Sequence, residues 1–240
     1  MNLSMKKIAT VLFLSITLLL TGCNVYSIDE ETQVEIPYPE QIESVQRAVD
    51  TYQENSGGLL PIKTKELETD KYIKYPIDFT KIIPEYSEKI PSSAYEKGGL
   101  FQYVLMDVEE NPEVKVVDLR MAERIRELNL RKSINSGSIP FNDEIGDGVF
   151  EVDFKTMGFE SPLSVKSPYS DVQLPIVVGG DGHFYVDYSI DLHRILTEEN
   201  PDITPGEDIR YLLEERSPIL PAYSLPYTVN EQNELVFMKK

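Results

Sequence analysis

The segment Tyr75-Pro-Ile77-Asp78-Phe79-Thr-Lys-Ile82 recurs as Phe150-Glu-Val152-Asp153-Phe154-Lys-Thr-Met157 and again as Tyr188-Ser-Ile190-Asp191-Leu192-His-Arg-Ile195. Each copy reads aromatic, any, β-branched, Asp, large apolar, any, any, apolar. Aromatic and β-branched residues ahead of the Asp suit an extended entry. Apolar residues one and four places after it suit the buried face of a short helix. The Asp is then expected as an N-cap, its carboxylate accepting from the first free amides. A chain built by repetition folds as small units that bury one another's faces.

A second piece follows each copy. Leu100-Phe-Gln-Tyr-Val104, Leu174-Pro-Ile-Val-Val178 and Leu225-Pro-Tyr-Thr-Val229 read as strands. Polar turns and apolar returns such as His183-Phe-Tyr-Val186 and Glu234-Leu-Val-Phe237 follow. Gly179-Gly180-Asp181-Gly182 and Asn230-Glu-Gln-Asn233 are hairpin connections in composition. Ahead of the first two copies, Ile42, Val45, Val49 and Tyr52, then Leu119, Ala122, Ile125 and Leu128, fall at helical spacing. Gly57-Gly58 and Ser136-Gly137 end these helices. A further short helix is expected around Glu207 to Glu215. The fold class is therefore α+β, in tandem helix-plus-small-antiparallel-sheet units. Their expected bounds are 38–118, 119–187 and a partial third unit over 188–240.

Helix, Gly, Pro-apolar (Pro61-Ile62, Pro140-Phe141), a short helical segment, then Lys89-Ile-Pro-Ser-Ser-Ala-Tyr95 through Phe101-Gln-Tyr-Val104 resembles the soluble head of a type II secretion pseudopilin. The second unit, from Ile125 through Ser167-Pro-Tyr169 to Tyr185-Val186, resembles it again. The resemblance implies a long helix packed on a small antiparallel sheet, serving assembly and partner contact without catalysis.

Where pseudopilins carry a hydrophobic helix behind a prepilin cleavage site, this chain has a different start. Lys6 and Lys7 precede an apolar run from Ile8 to Leu20, which stops at Leu20-Thr21-Gly22-Cys23. That is a signal-peptide layout, and the run is short of the roughly 20 residues a spanning helix needs. Its end resembles the bacterial lipobox, in which the Cys thiol carries a diacylglycerol and the signal is cut before it. Cys23 is the single cysteine of the chain, so no internal disulfide or Cys-based zinc site can form.

Residues 1–22 are thus expected to be a cleaved signal peptide, and 23–37 a lipidated Cys with a flexible tether carrying Asp29, Glu30 and Glu31. Two or three acyl chains, palmitate among them, anchor stably, placing the mature domain on the extracytoplasmic face of the cell membrane. Overall the chain is similar to uncharacterised small lipoproteins of spore-forming Gram-positive bacteria, through Tyr185-Val-Asp-Tyr-Ser-Ile-Asp191 and Pro221-Ala-Tyr-Ser-Leu-Pro-Tyr227.

The 240 residues hold 23 Lys+Arg against 41 Asp+Glu, a net charge of -18, and loss of Lys6 and Lys7 makes it -18 - 2 = -20. Phosphate neutralisation needs clustered cations, so nucleic acid is excluded as a partner. Gly146-Asp-Gly148 and Gly180-Asp-Gly182 lack the third Gly and the Lys of a phosphate loop and read as turns. His183 beside Asp181 and Asp187 is the one weak metal cluster, and His193 lies ten residues on; an exposed turn is the plainer reading.

No nucleophile elbow is present, and Asp78, Asp153 and Asp191 are caps before they are catalysts. Tyr72, Tyr75, Tyr185, Tyr188, Tyr223 and Tyr227 suit core packing first and a contact groove second. No enzyme and no cofactor are expected. The leading expectation is a non-catalytic protein-interaction or scaffold module with an unidentified protein partner; the alternative is the solute-binding lipoprotein of a transporter.

Overall fold

Pro39 opens helix α1 (Pro39–Asn55), where its fixed φ and missing N–H cost nothing. The helix ends where Gly57 and Gly58 take φ of 73° and 93°, values that favour glycine. The computed structural model describes residues 39–238 apart from 64, 67 and 68. The signal peptide, Cys23 and the tether expected over 1–37 lie outside the described residues.

Val45, Ala48 and Val49 form the buried face of α1, which packs on the hairpin β1 (Phe101–Met106) and β2 (Glu113–Asp118). Gln46 fixes the register of that packing: its amide donates to the Pro112 carbonyl at 3.0 Å and accepts from the Val114 N–H at 2.7 Å. Between them α2 (Phe79–Ile82) buries Phe79 and Ile82, capped by Asp78, whose carboxylate accepts from the Thr80 N–H at 3.2 Å.

Asp118 ends β2 and caps α3 (Leu119–Ile134), accepting from the Arg120 N–H at 3.0 Å. The buried face of α3 carries Met121 and Leu128, with Ile125 half-buried. The helix is thus turned slightly from the face through Leu119 and Ala122 that the spacing suggested. It gives way to β3 (Phe141–Gly146), β4 (Val149–Val152), β5 (Ser164–Lys166), β6 (Gln173–Gly179) and β7 (Phe184–Val186). These strands form one antiparallel sheet of order β3-β4-β6-β5, with β7 also on β6. The hairpin over Gly179–Gly182 forms as expected.

The first two copies of the repeat share their entry bonds, but the expected short helix after Asp153 is a turn over 154–158, where Asp78 starts a one-turn helix. Asp78 N–H donates to the Pro61 carbonyl at 2.6 Å and Asp153 N–H to the Pro140 carbonyl at 3.1 Å. Ile62 bridges Ile77 as Phe141 pairs with Val152. Asp153 in turn accepts from the Thr156 N–H at 3.0 Å.

The third copy differs from the sequence reading. Asp191 is not a cap: it lies inside helix α4 (Ser189–Glu199), 1% exposed. Asp187 stands at the helix start instead, accepting from the Ser189 N–H at 2.8 Å. The structural counterpart of Asp78 and Asp153 is Asp208, which accepts from the Arg210 N–H at 3.2 Å. Ile209 and Leu212, one and four residues on, are buried at 0% and 3%. After Asp208 come α5 (Tyr211–Glu214) and the hairpin β8 (Tyr227–Val229) with β9 (Leu235–Phe237). Helix α4 therefore corresponds to α1 and α3, and the third segment carries the module's order in shortened form.

This segment packs into both preceding cores. Leu192, Leu212 and Tyr227 join Met121, Val165 and Leu174 in one cluster, and Leu220 and Ala222 join Tyr72, Val104 and Val117 in another. The described residues form one compact unit.

Candidate functional site

Asp-x-Arg occurs twice at the turns just described, at Asp118-Leu-Arg120 and Asp208-Ile-Arg210, and each Arg folds back onto the carboxylate that caps its own backbone. Arg120 Nε lies 3.0 Å from Asp118 Oδ1 and Nη2 lies 2.5 Å from Oδ2. Arg210, 5% exposed, holds Asp208 through Nε at 3.1 Å and Nη2 at 2.8 Å. The planar fork matches a carboxylate in both places.

Arg210 is also the hub between the first and third segments. Its Nη1 donates to the Ser224 carbonyl at 3.2 Å and hydroxyl at 3.1 Å, and lies 3.7 Å from Asp70. Its guanidinium sits 4.9 Å from the centre of the Tyr72 ring. The Tyr72 hydroxyl donates to Glu214, which Lys71 reaches at 3.0 Å. Burial, and secondarily Glu214, push that hydroxyl far above its ordinary pKa, so it stays a donor.

Burial alone would raise the Asp208 carboxyl, but the hydrogen bonds and charge of Arg210 outweigh it and hold the group below its usual value. A depressed folded pKa means that the stabilisation is complete above the unfolded value of about 4 and is lost as pH falls through the folded one. Urea unfolding at a series of pH values should show stability declining below about pH 4, with a shallower decline in Asp208→Asn; equal slopes would contradict the assignment.

The residues singled out from sequence go to separate places. Asp191 accepts hydroxyl hydrogens from Ser167 at 2.6 Å and Ser170 at 2.5 Å, stapling the 167–170 turn to α4. Asp181 accepts from the Tyr185 hydroxyl at 2.5 Å, with His183 Nδ1 at 3.5 Å and the imidazole 71% exposed. Asp187 turns inward to the Tyr227 hydroxyl at 2.9 Å, so Asp181, His183 and Asp187 do not converge. Among the described residues no group of three or more His, Cys, Asp or Glu could hold a metal.

The two Gly-Asp-Gly segments are turns that meet, Gly180 N–H donating to the Gly148 carbonyl at 2.7 Å. Tyr72, Tyr188 and Tyr227 are buried at 0%, 0% and 1%, and Tyr185 at 8%; they line the core, not a groove.

A groove lined by other residues lies on α4. Ser189, Ile190, His193, Leu196 and Thr197 form one stripe of α4, facing Asn233, Glu234 and Leu235 across a hollow of about 840 Å³. Ile190 and Val236 are exposed at 44% and 36%. Sequence reading missed this site and the Arg210 hub alike. The signal for the hub was Asp208-Ile-Arg-Tyr-Leu212, which fits the core of the repeat but lacks its aromatic entry.

Residues 38–118, a span shorter than half of the chain, match the YphF family N-terminal domain. No curated protein and no solved structure matches the chain. The segment made of α1, α2 and the β1–β2 hairpin is thus similar to the N-terminal domain of an uncharacterised family.

Proposed function

We propose that the chain is a membrane-anchored extracytoplasmic lipoprotein that works through protein contact, without catalysis. The observation that carries the contact reading is the hollow between α4 and β9, lined by exposed Ile190 together with Leu196 and Leu235. Apolar side chains flanked by Glu234, His193 and Thr197 suit a protein partner better than a small polar solute. The inward-turned carboxylates support the same reading: buried Asp191 and Asp187 and half-buried Asp208 are each held by internal hydrogen bonds that order the fold.

The anchor is carried by Leu20-Thr21-Gly22-Cys23. Mass spectrometry of the mature N-terminus tests it, together with membrane fractionation of wild type and Cys23→Ala. A chain that begins at a diacylglyceryl-modified Cys23, with the substituted chain uncleaved, is expected. An unmodified Cys23 with the same fractionation in both chains would overturn the anchor.

A further inference from the structure

Strand edges are the places where a sheet invites another strand, and natural edges are covered or charged. Here the outer edge of β1 is covered by Tyr75 to Ile77, through Ile77 N–H to the Tyr103 carbonyl and Leu105 N–H to the Tyr75 carbonyl, both at 2.9 Å. That of β2 is covered by Pro218 to Leu220, through Val116 N–H to the Pro218 carbonyl at 2.9 Å. The outer edge of β8 is covered by Ile209, whose N–H donates to the Tyr227 carbonyl at 2.9 Å. Strand β3 carries Asp143 and Glu144 in its exposed edge, and β5 carries Lys166. Strand β9, Leu235-Val236-Phe237, has no strand paired to its outer edge and no charge within it; the Phe237 ring packs against Gly146 at the end of β3, which leaves the outward backbone groups unpaired by a strand.

The register shows which groups it offers. Asn230 N–H donates to the Glu234 carbonyl and Met238 N–H to the Pro226 carbonyl, both at 2.9 Å, with Thr228 opposite Val236. In an antiparallel pair the bonding alternates, so residues 234, 236 and 238 bond to β8, and the N–H and C=O groups of Leu235 and Phe237 point outward. The Ile209 bond to Tyr227, which stands opposite Phe237, uses the matching outward carbonyl on the other side.

We infer that this edge pairs antiparallel with the same edge of a second copy of the chain, about a two-fold axis through Val236. In that register Leu235 of each copy faces Phe237 of the other, and all four outward N–H and C=O pairs are satisfied as four hydrogen bonds. Val236 meets its equivalent as a non-hydrogen-bonded pair, with side chains in contact. The order of charges in the sequence, Glu231 and Glu234 before the strand and Lys239-Lys240 after it, favours antiparallel over parallel pairing of two copies. The contact is isologous and closes as a dimer. By contrast, self-pairing of β3 sets Asp143 and Glu144 against their own copies. The inference rests on the reading of the chain as a protein-contact module and not on its anchor, so the lipidation result leaves it standing or falling by itself.

The test uses the full chain in membranes. A non-hydrogen-bonded antiparallel pair has Cα atoms about 4.5 Å apart, within disulfide reach. Val236→Cys should therefore give a covalent dimer on mild oxidation, whereas Glu109→Cys, at an exposed position, should not. Two differently tagged wild-type copies should co-purify in detergent. Co-purification should fall about tenfold or more when both carry Val236→Lys or both carry Val236→Glu, and return when one carries each. Recovery by the opposite-charge pair shows that both substituted chains are folded. Wild-type copies that do not co-purify, or charge variants that co-purify as well as wild type, would overturn the inference and leave the edge to a strand from a different protein.

Discussion

Arg210→Ala is expected to lower stability by about 3 kcal/mol, because it removes a buried guanidinium whose partners, half-buried Asp208 and buried Ser224, are left without their donors. Asp208 loses its two-pronged partner, the Ser224 carbonyl and hydroxyl lose theirs, and the Tyr72 ring loses the cation stacked on it. The guanidinium joins segments far apart in sequence, so the loss also loosens the docking of Asp208 to Ser224 onto Asp70 and Tyr72. For a chain of this size the fall corresponds to roughly 6–12 °C in melting temperature. Arg210→Lys restores part of it, since an ammonium keeps the charge but not the planar fork. Thermal and urea unfolding check this; a change within the noise of the measurement would show that the hub does not hold the segments together.

Asp191→Ala should cost about 2–3 kcal/mol and Asp78→Ala about 1 kcal/mol, although the sequence motif makes the two look alike. Asp78 caps a one-turn helix near the surface, where water replaces the lost acceptor. Asp191 is sealed on the buried face of α4, and its removal takes the acceptor from both Ser167 and Ser170 hydroxyls. The Ser167 hydroxyl in turn accepts from the Tyr169 and Ser170 N–H groups at 2.9 and 3.2 Å, so the 167–170 turn loses its fixed point. Paired urea titrations decide it. Equal costs would mean that Asp191 acts as a cap after all.

The contrast between these two aspartates shows what was legible in the sequence. Periodicity located α1, α3 and the β6–β7 and β8–β9 hairpins, because apolar spacing and Gly or Asn turns are local signals. The first two repeats were readable since the entry, the cap and the buried pair all recur together. The third misled because Tyr188-Ser-Ile-Asp-Leu copies the motif's letters across the start of a helix that begins at Ser189, whose N–H donates to Asp187. The true third cap, Asp208, has Pro205-Gly-Glu207 ahead of it in place of an aromatic, β-branched entry.

Strand β3 escaped because five of its six residues are exposed and lack alternation. The Arg210 hub and the α4–β9 groove unite residues distant in sequence, and no local pattern encodes such meetings. The acids and histidines that drew attention as chemistry lie apart because closeness in sequence is not convergence: Asp181 and Asp187 flank the two ends of β7, the first bonded to Tyr185 and the second to Tyr227.

Crosslinking in intact cells, followed by mass spectrometry, decides whether the anchored chain acts by contact. The full chain should reproducibly capture a membrane or secreted protein, or its own copy through the β9 edge, and Cys23→Ala should abolish capture of the membrane-proximal partner. Capture of nothing specific from cells in which the chain is present and folded would contradict action by contact.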